Sequence, residues 1–144
     1  MLRLIERVHK AGLKPKPELS VQFGAGGGTS AEELKAEGVS DVGWLIAKAR
    51  RLIEAGVELL TIESEGVTGD VAEWRTDIPA RIIAELGLEC VMFEAADPRV
   101  FEWYVKSYGN EVNLFVDHSQ VLQLEALRQG IWGTMSTWGR IHNL

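Results

Sequence analysis

Apolar and polar positions along the chain repeat one arrangement. A run with apolar residues at helical spacing ends at a glycine, and a short run rich in apolar and β-branched residues follows at once. The helical spacing predicts helices over about 2–10, 41–55, 72–86, 98–108 and 119–128. The intervening runs predict strands over about 18–23, 57–63, 88–94 and 112–117.

Capping residues support these boundaries. Asp97-Pro98 has the favoured order for the cap and first position of a helix, and Asp41 is the predicted cap of the second helix. Pro79 is expected near the start of the third helix or at a bend, and Asp117 or Ser119 is expected to cap the last one. The glycines expected to end the helices are Gly12, Gly56, Gly87, Gly109 and Gly130.

Strands separated by helices run parallel, with right-handed crossovers. Runs such as LECVMF and VNLFV are nearly continuous in apolar residues, as strands buried on both faces require. We therefore predict an α/β fold of the (β/α)8 TIM-barrel type. The chain, as a single domain over 1–144, supplies about four βα units and so the C-terminal half of a barrel that takes about 250 residues. A small doubly wound sheet is the competing fold, but the leading helix lacks a strand of its own. A glycine-rich loop (24–40) and an irregular tail (131–144) lie outside the repeat.

Composition and charge narrow the function classes. With 46% hydrophobic and 25% charged residues, the chain is typical of a soluble globular protein. Its net charge of −6 argues against a nucleic-acid partner, and its apolar runs are too short to cross a membrane. The N-terminus lacks the features of a signal peptide. The single Cys90 cannot form an internal disulfide, so we expect a cytoplasmic protein in which Cys90 is a small core residue.

Carboxylates recur at the predicted strand ends. Glu63, Glu94 and Asp117 each end a strand, and Glu18 lies in the first strand. Because the carboxyl ends of parallel strands share one face of a barrel, we expect these acids to converge there. Mg²⁺ suits such a cluster, with Glu63, Glu94 and Asp117 as ligands, and leaves room for a small phosphorylated carboxylic acid. The alternative is that each acid caps the helix that follows.

Other candidate residues lie nearby in the sequence. Gly26 and Gly27, within the run Gly24–Gly28, could offer backbone N–H groups to a phosphate, although the run is also typical of an active-site loop or linker. Ser119 is a further phosphate-binding candidate. Asn113, polar within an apolar strand, is either a structural hydrogen bonder or points into the barrel mouth. His118 could be a base or shape a turn, and Arg75 could reach an anion or lie at the surface.

Several segments carry a family resemblance. The segments KPELSV, AGVELLTIESEG, LECVMFEA and YGNEVNLFVDHSQVLQLEALRQG resemble the C-terminal half of the phosphosulfolactate synthase family, over residues 3 to about 133. The resemblance implies the fifth to eighth strands of a (β/α)8 barrel. It also implies a Mg²⁺-dependent addition of sulfite to phosphoenolpyruvate in coenzyme M biosynthesis. Glu18, Glu63, Glu94 and Asn113 are then the catalytic candidates, with Glu63 and Glu94 in the family's acidic, metal-dependent site.

Two segments depart from that family. The synthases follow the glutamate of the first strand with Val-Gly-Lys-Lys, whereas Glu18 is followed here by Leu-Ser-Val-Gln, without a lysine to donate a proton. The tail Trp132–Arg140 differs from the Arg-Gly-Asp-Thr-Phe-like ending of the synthases. Asp-His-Ser-Gln (117–120) is instead similar to the plant heat-stress-associated 32-kDa branch, whose members are not known as coenzyme M enzymes.

Three hypotheses follow from these features. The chain is a Mg²⁺-dependent carbon–sulfur lyase or synthase, a non-catalytic stress-response protein on the same barrel, or half a barrel. The third is compatible with either of the others. A half barrel exposes two sheet edges, so we expect a homo-oligomer or pairing with a missing N-terminal half.

Overall fold

Helices and strands alternate along the whole described part of the chain. The computed structural model describes residues 1–21 and 42–131. The helices are α1 (Leu2–Lys10), α2 (Gly43–Glu54), α3 (Asp77–Leu86), α4 (Pro98–Tyr108) and α5 (Val121–Arg128). The strands are β1 (Glu18–Leu19), β2 (Leu60–Ile62), β3 (Val91–Glu94) and β4 (Asn113–Phe115), and short 3-10 turns cover Leu88–Cys90 and His118–Gln120.

The four strands form one parallel sheet in the order β1-β2-β3-β4. Glu18 pairs with Thr61 and Leu19 with Ile62, both in parallel register. The ladder is extended by the N–H of Thr61, which donates to the carbonyl of Pro17, and by that of Glu63, which donates to Leu19, each at 3.0 Å. The alternation of helices with parallel strands is consistent with part of a TIM barrel, so the predicted fold class is confirmed.

The predicted boundaries were right for most helices, whereas the predicted strands were longer than the observed ones. α3 begins at Asp77 and not near residue 72, because the N–H of Arg75 donates to the carbonyl of Val67 and ties the preceding segment into a loop. Leu88–Cys90 forms a 3-10 turn instead of the first half of a strand. Asp41, the predicted cap of α2, lies outside the described residues, and the structure has Val42 at the cap position.

The chain divides into two compact units, residues 1–92 and 93–144. In the first unit all three residues of β2 are buried, and the helices bury one face each. The core side chains of these helices are Ile5 of α1, Leu45, Ile46, Ala49 and Leu52 of α2, and Ile78 and Ile82 of α3. Burial of each large aliphatic side chain stabilises the fold by about 1.5–3 kcal/mol, so this layer holds the first unit together.

Gly56 ends α2 where α1 comes close. Its φ of +92° is a conformation that favours glycine, and a Cβ there would lie 3.0 Å from Cε1 of His9. The predicted glycine stop is therefore also a site of close packing between the two helix ends.

The second unit is built around α4. The carboxylate of Asp97 accepts a hydrogen bond from the N–H of Arg99 at 2.7 Å, and Pro98 is the first helical residue, as predicted. Tyr104 is buried, with its ring stacked 4.9 Å from that of Phe93, and burial raises the pKa of its hydroxyl far above the ordinary value. The remaining buried side chains of α4 are Val100, Phe101 and Val105.

β4 differs from the prediction of a strand buried on both faces. Asn113 and Leu114 are half-buried, and Phe115 keeps 48% of its surface exposed. β4 is an end strand of the sheet, with one strand neighbour among the described residues. One side of the strand therefore lacks the cover that a central strand receives.

Candidate functional site

In the first unit, two of the predicted acids lie on neighbouring strands. Glu18 is exposed in β1. Glu63 follows the last residue of β2 directly and is half-buried, and its backbone is anchored because its N–H donates to the carbonyl of Leu19. Parallel pairing of β1 with β2 thus holds Glu63 at the carboxyl end of its strand, as predicted.

The loop after β2 adds an acid that sequence reasoning missed. The carbonyl of Ser64 accepts the N–H groups of Val67, Thr68 and Gly69 at 2.9–3.0 Å, which closes a tight turn. Glu65 within this turn is half-buried, and its Oε2 is buried with no hydrogen-bond partner among the described residues. A buried carboxylate oxygen without a donor is costly, so it is a candidate for contact with a cation or a ligand proton. Its place two residues after Glu63 was the available signal.

Arg75 has a local partner. Its Nε and a terminal nitrogen donate to the two carboxylate oxygens of Asp77 at 2.9 and 2.7 Å. This two-pronged pair raises the pKa of Arg75 and lowers that of Asp77, chiefly through the side-chain hydrogen bonds. Of the two predicted roles for Arg75, this geometry supports local structure at the start of α3 over capture of an anion.

In the second unit, the ends of β3 and β4 lie side by side. Glu94 is the last residue of β3 and is half-buried, and the N–H of the next residue, Ala95, donates to the carbonyl of Phe115 at 2.8 Å. A second link comes from Gln120, whose Nε2 donates to the carbonyl of Ala96 at 2.8 Å. Gln120, which the sequence marked only as part of the segment 117–120, therefore fastens the turn after β4 to the chain after β3.

Asp117 caps the short 3-10 turn His118–Gln120 and not α5, whose cap position is held by Gln120 without a side-chain hydrogen bond. One of its carboxylate oxygens accepts from the N–H of Ser119 at 2.8 Å and from the Ser119 hydroxyl at 2.5 Å. These hydrogen bonds, with a smaller contribution from His118 at 3.5 Å, lower the pKa of Asp117. The carboxylate is thus kept ionised, while the Ser119 hydroxyl proton that a phosphate would use is directed at Asp117.

The other candidates of this unit are distributed around that turn. Asn113 is half-buried at the first position of β4, and the side chain of His118 is almost fully exposed. Arg128 reaches back from α5, and its guanidinium donates to the carbonyl of Val112 at 2.6 Å. We assign Arg128 a structural part, because it fixes α5 against the start of β4.

Over residues 1–21 and 42–131, no three His, Cys, Asp or Glu side chains are grouped so that they could hold a metal ion. The proposed ligand set Glu63, Glu94 and Asp117 draws on both units and stays a prediction. Gly26 and Gly27, the phosphate-binding candidates, lie outside the described residues.

Cys90 is half-buried in the turn before β3, not in a strand. Desolvation, and then the charge of Glu89, raises the pKa of its thiol, which disfavours the reactive thiolate.

No helix within the described ranges has the length and apolar character that a bilayer crossing demands.

Comparison with known proteins agrees with this arrangement. The family model for (2R)-phospho-3-sulfolactate synthase (ComA) matches residues 1–134. The chain is also similar to Protein HEAT-STRESS-ASSOCIATED 32 of Arabidopsis thaliana, with 38% identity over 138 residues. That alignment covers 89% of this chain and 48% of the plant protein, so the chain spans about half the length of this relative. The resemblance seen in the strand-end motifs thus extends over almost the entire sequence, and the chain belongs to the (2R)-phospho-3-sulfolactate synthase (ComA) family.

Proposed function

We propose that this chain carries the acidic part of an active site of the phosphosulfolactate synthase type. The reaction is the Mg²⁺-dependent addition of sulfite, or a related nucleophile, to phosphoenolpyruvate or a similar small phosphorylated acid. The observation that carries the proposal is the family match over residues 1–134 combined with half-buried glutamates at two strand ends, Glu63 after β2 and Glu94 at the end of β3. Catalytic groups of barrel enzymes come from such positions.

The chemistry needs a cation and a proton. The sulfur lone pair of sulfite forms a bond to the methylene carbon, the double-bond electrons move toward the substrate carboxylate, and a proton is added to the carbon that bears phosphate. The phosphate ester stays intact, and the substrate is not cleaved. Carboxylates alone would repel so anionic a substrate, so their presence in the site favours a bound divalent cation.

The residues of this chain receive corresponding roles. Glu63, Glu94 and Asp117 are the proposed ligands of Mg²⁺, which when bound would neutralise the developing enolate charge. A glutamate that does not hold the metal, such as Glu18 in β1, is available as the acid that delivers the proton. The amide of Asn113 can donate a hydrogen bond to a substrate oxygen. Gly26, Gly27 and Ser119 remain the proposed phosphate contacts, and the Ser119 hydroxyl would have to turn from Asp117 to the phosphate.

Thermal unfolding with ligands tests this proposal. Mg²⁺ with phosphoenolpyruvate should raise the melting temperature, because a ligand that binds only the folded state stabilises it. Glu94→Gln keeps the size of the side chain and removes its charge, so the shift should disappear. Glu89→Gln is the matched control, since Glu89 is exposed and precedes β3 instead of ending it. Equal shifts in both variants and in the unmodified chain would count against a role for Glu94.

A non-catalytic stress-response role is the second candidate. It is favoured by the 38% identity to the plant heat-stress-associated protein and by the sequence Leu-Ser-Val-Gln after Glu18, where the synthases have lysines. Phosphorus NMR of phosphoenolpyruvate with sulfite and Mg²⁺ separates the two. The synthase proposal expects a new phosphate ester signal that depends on Glu94, whereas the alternative expects the phosphoenolpyruvate signal to persist unchanged.

A further inference from the structure

Two buried polar oxygens of the first unit lack a hydrogen-bond partner. They are Oγ of Ser20 and Oε2 of Glu65, and neither is accessible to solvent or bonded to any group among the described residues. A buried polar atom without a partner lowers the stability of the fold, and most such atoms in native proteins have one. Both oxygens are therefore kept at a cost, which a ligand that supplies the missing contacts would explain.

The pairing of β1 with β2 places Ser20 beside Glu63. Leu19 pairs with Ile62, and the N–H of Glu63 donates to the carbonyl of Leu19, so the next step of this parallel register brings Ser20 next to Glu63. Paired residues share a face of a sheet, and successive residues alternate between its faces. The face opposite the buried Leu19 and Ile62 carries polar side chains, namely Glu18, Ser20, Thr61 and Glu63.

The turn after β2 fixes the backbone of Glu65 two residues beyond Glu63. The N–H of Gly66 donates to the carbonyl of Gly69 at 3.0 Å, and Glu65 forms an isolated parallel bridge with Gly69. The turn is also closely packed, because a Cβ at Gly69 would lie 3.3 Å from Oγ of Ser64. Glu65 is thus held by a hydrogen-bonded turn at the same strand end as Glu63.

Carboxylate and hydroxyl oxygens at one strand end suit a hard divalent cation. Mg²⁺ takes oxygen ligands, keeps several of its waters and is held by one or two protein carboxylates, so it does not need three acidic side chains. An anion is repelled by two neighbouring carboxylates, whereas a cation is attracted by them. The orphaned oxygens of Glu65 and Ser20 are of the kind that Mg²⁺ or its waters would satisfy.

We propose that Ser20 and Glu65, together with Glu63, form a Mg²⁺ site in the first unit, in which Oγ of Ser20 and Oε2 of Glu65 contact the ion or its waters. The inference rests on the proposed function, from which it takes the identity of the cation, and it adds two residues to the strand-end acids. All three residues lie in the unit 1–92. Both orphaned oxygens gain a partner when the ion binds, so their cost is confined to the ion-free state.

Titration calorimetry with Mg²⁺ alone tests the role of the carboxylate. Glu65→Gln keeps the size of the side chain and removes its charge, so it should weaken Mg²⁺ binding by at least about tenfold relative to the unmodified chain. Glu73→Gln is the matched control, because Glu73 is exposed and lies outside this turn, and it should bind Mg²⁺ with unchanged affinity. Equal affinity in Glu65→Gln, or no binding of millimolar Mg²⁺ by the unmodified chain, would overturn the site.

Thermal unfolding of Ser20→Ala provides a readout that a purely structural serine would not give. Without Mg²⁺ the melting temperature should rise by about 2–4 °C, because the substitution removes a buried polar atom that has no partner. With Mg²⁺ the further rise should be smaller than in the unmodified chain, since the ion has lost a contact. A lower melting temperature without Mg²⁺, or an undiminished rise with it, would contradict the role of Ser20.

These measurements contain neither phosphoenolpyruvate nor sulfite, so they separate the metal site from the reaction. If Mg²⁺ binding depends on Glu65 and Ser20 while phosphorus NMR shows no product, the site is supported and the proposed reaction is wrong. If product forms while both substitutions leave Mg²⁺ binding unchanged, the reaction is supported and this site is wrong.

Discussion

β2 and β4 are three-residue strands of the same sheet with different surroundings. Leu60, Thr61 and Ile62 of β2 are all buried, whereas no residue of β4 is, and Phe115 is exposed over 48% of its surface. β2 has a strand on each side in the sheet order, and β4 has one among the described residues. The same apolar character is thus buried in β2, where it stabilises the fold, and stays partly exposed to solvent in β4.

The largest expected difference in stability is between truncations of a side chain in β2 and of one in β4. Leu60→Ala should lower the free energy of unfolding by about 2–5 kcal/mol, because it leaves a cavity beside a fully buried strand. Phe115→Ala should cost less than about 1.5 kcal/mol in dilute, monomeric protein, since half of the ring is in water already. Urea titrations of the two variants measure this difference. Losses of equal size would show that β4 is packed as tightly as β2.

A smaller effect is expected at the helix starts of the two units. Asp97→Ala should cost about 1 kcal/mol, because it removes the side-chain cap of α4. Thr76 stands at the cap position of α3 without a side-chain hydrogen bond, so Thr76→Ala should change stability by about 0.5 kcal/mol or less. Thermal unfolding of both variants compares the caps directly. A larger loss at Thr76 would contradict the assigned hydrogen bonding.

The smallest effect concerns the pH dependence of the turn after β4. The pKa of Asp117 is lowered in the folded protein, so its contribution to stability is present above the unfolded pKa and is lost as pH falls through the folded one. Ser119→Ala removes the main cause and should raise the pKa of Asp117 toward its ordinary value. Carbon NMR of the Asp117 carboxyl in the unmodified chain and in Ser119→Ala follows this change. An unchanged titration midpoint in Ser119→Ala would contradict the hydrogen bonds described here.

The sequence was a good guide wherever a local signal decides the structure. Apolar spacing located α1, and Asp97-Pro98 located the start of α4, because both depend on residues within one or two turns. The start of α3 was misplaced, since the contact of the Arg75 N–H with Val67 is made across a loop. The exposure of β4 could not be predicted from its apolar residues, because the burial of a strand depends on which strands lie beside it.

The location of the candidate acids along the strands was predictable, whereas their side-chain contacts were not. The parallel pattern correctly placed Glu63 and Glu94 at strand ends. The hydrogen bonds that Asp117 accepts from Ser119, and the burial of Oε2 of Glu65, depend on side-chain geometry within turns. The spacing of residues in the sequence does not specify that geometry. Whether the acids act together on a metal is a question of long-range arrangement and therefore of experiment.

The strand-end glutamates are proposed to hold Mg²⁺ for a phosphorylated acid. A crystal structure of the chain grown with Mg²⁺ and phosphoenolpyruvate tests it most directly. We expect a metal ion about 2.0–2.1 Å from carboxylate oxygens of Glu63 or Glu94, with the substrate bound to it. Metal and substrate located together at a site that involves neither glutamate would contradict this role of Glu63 and Glu94.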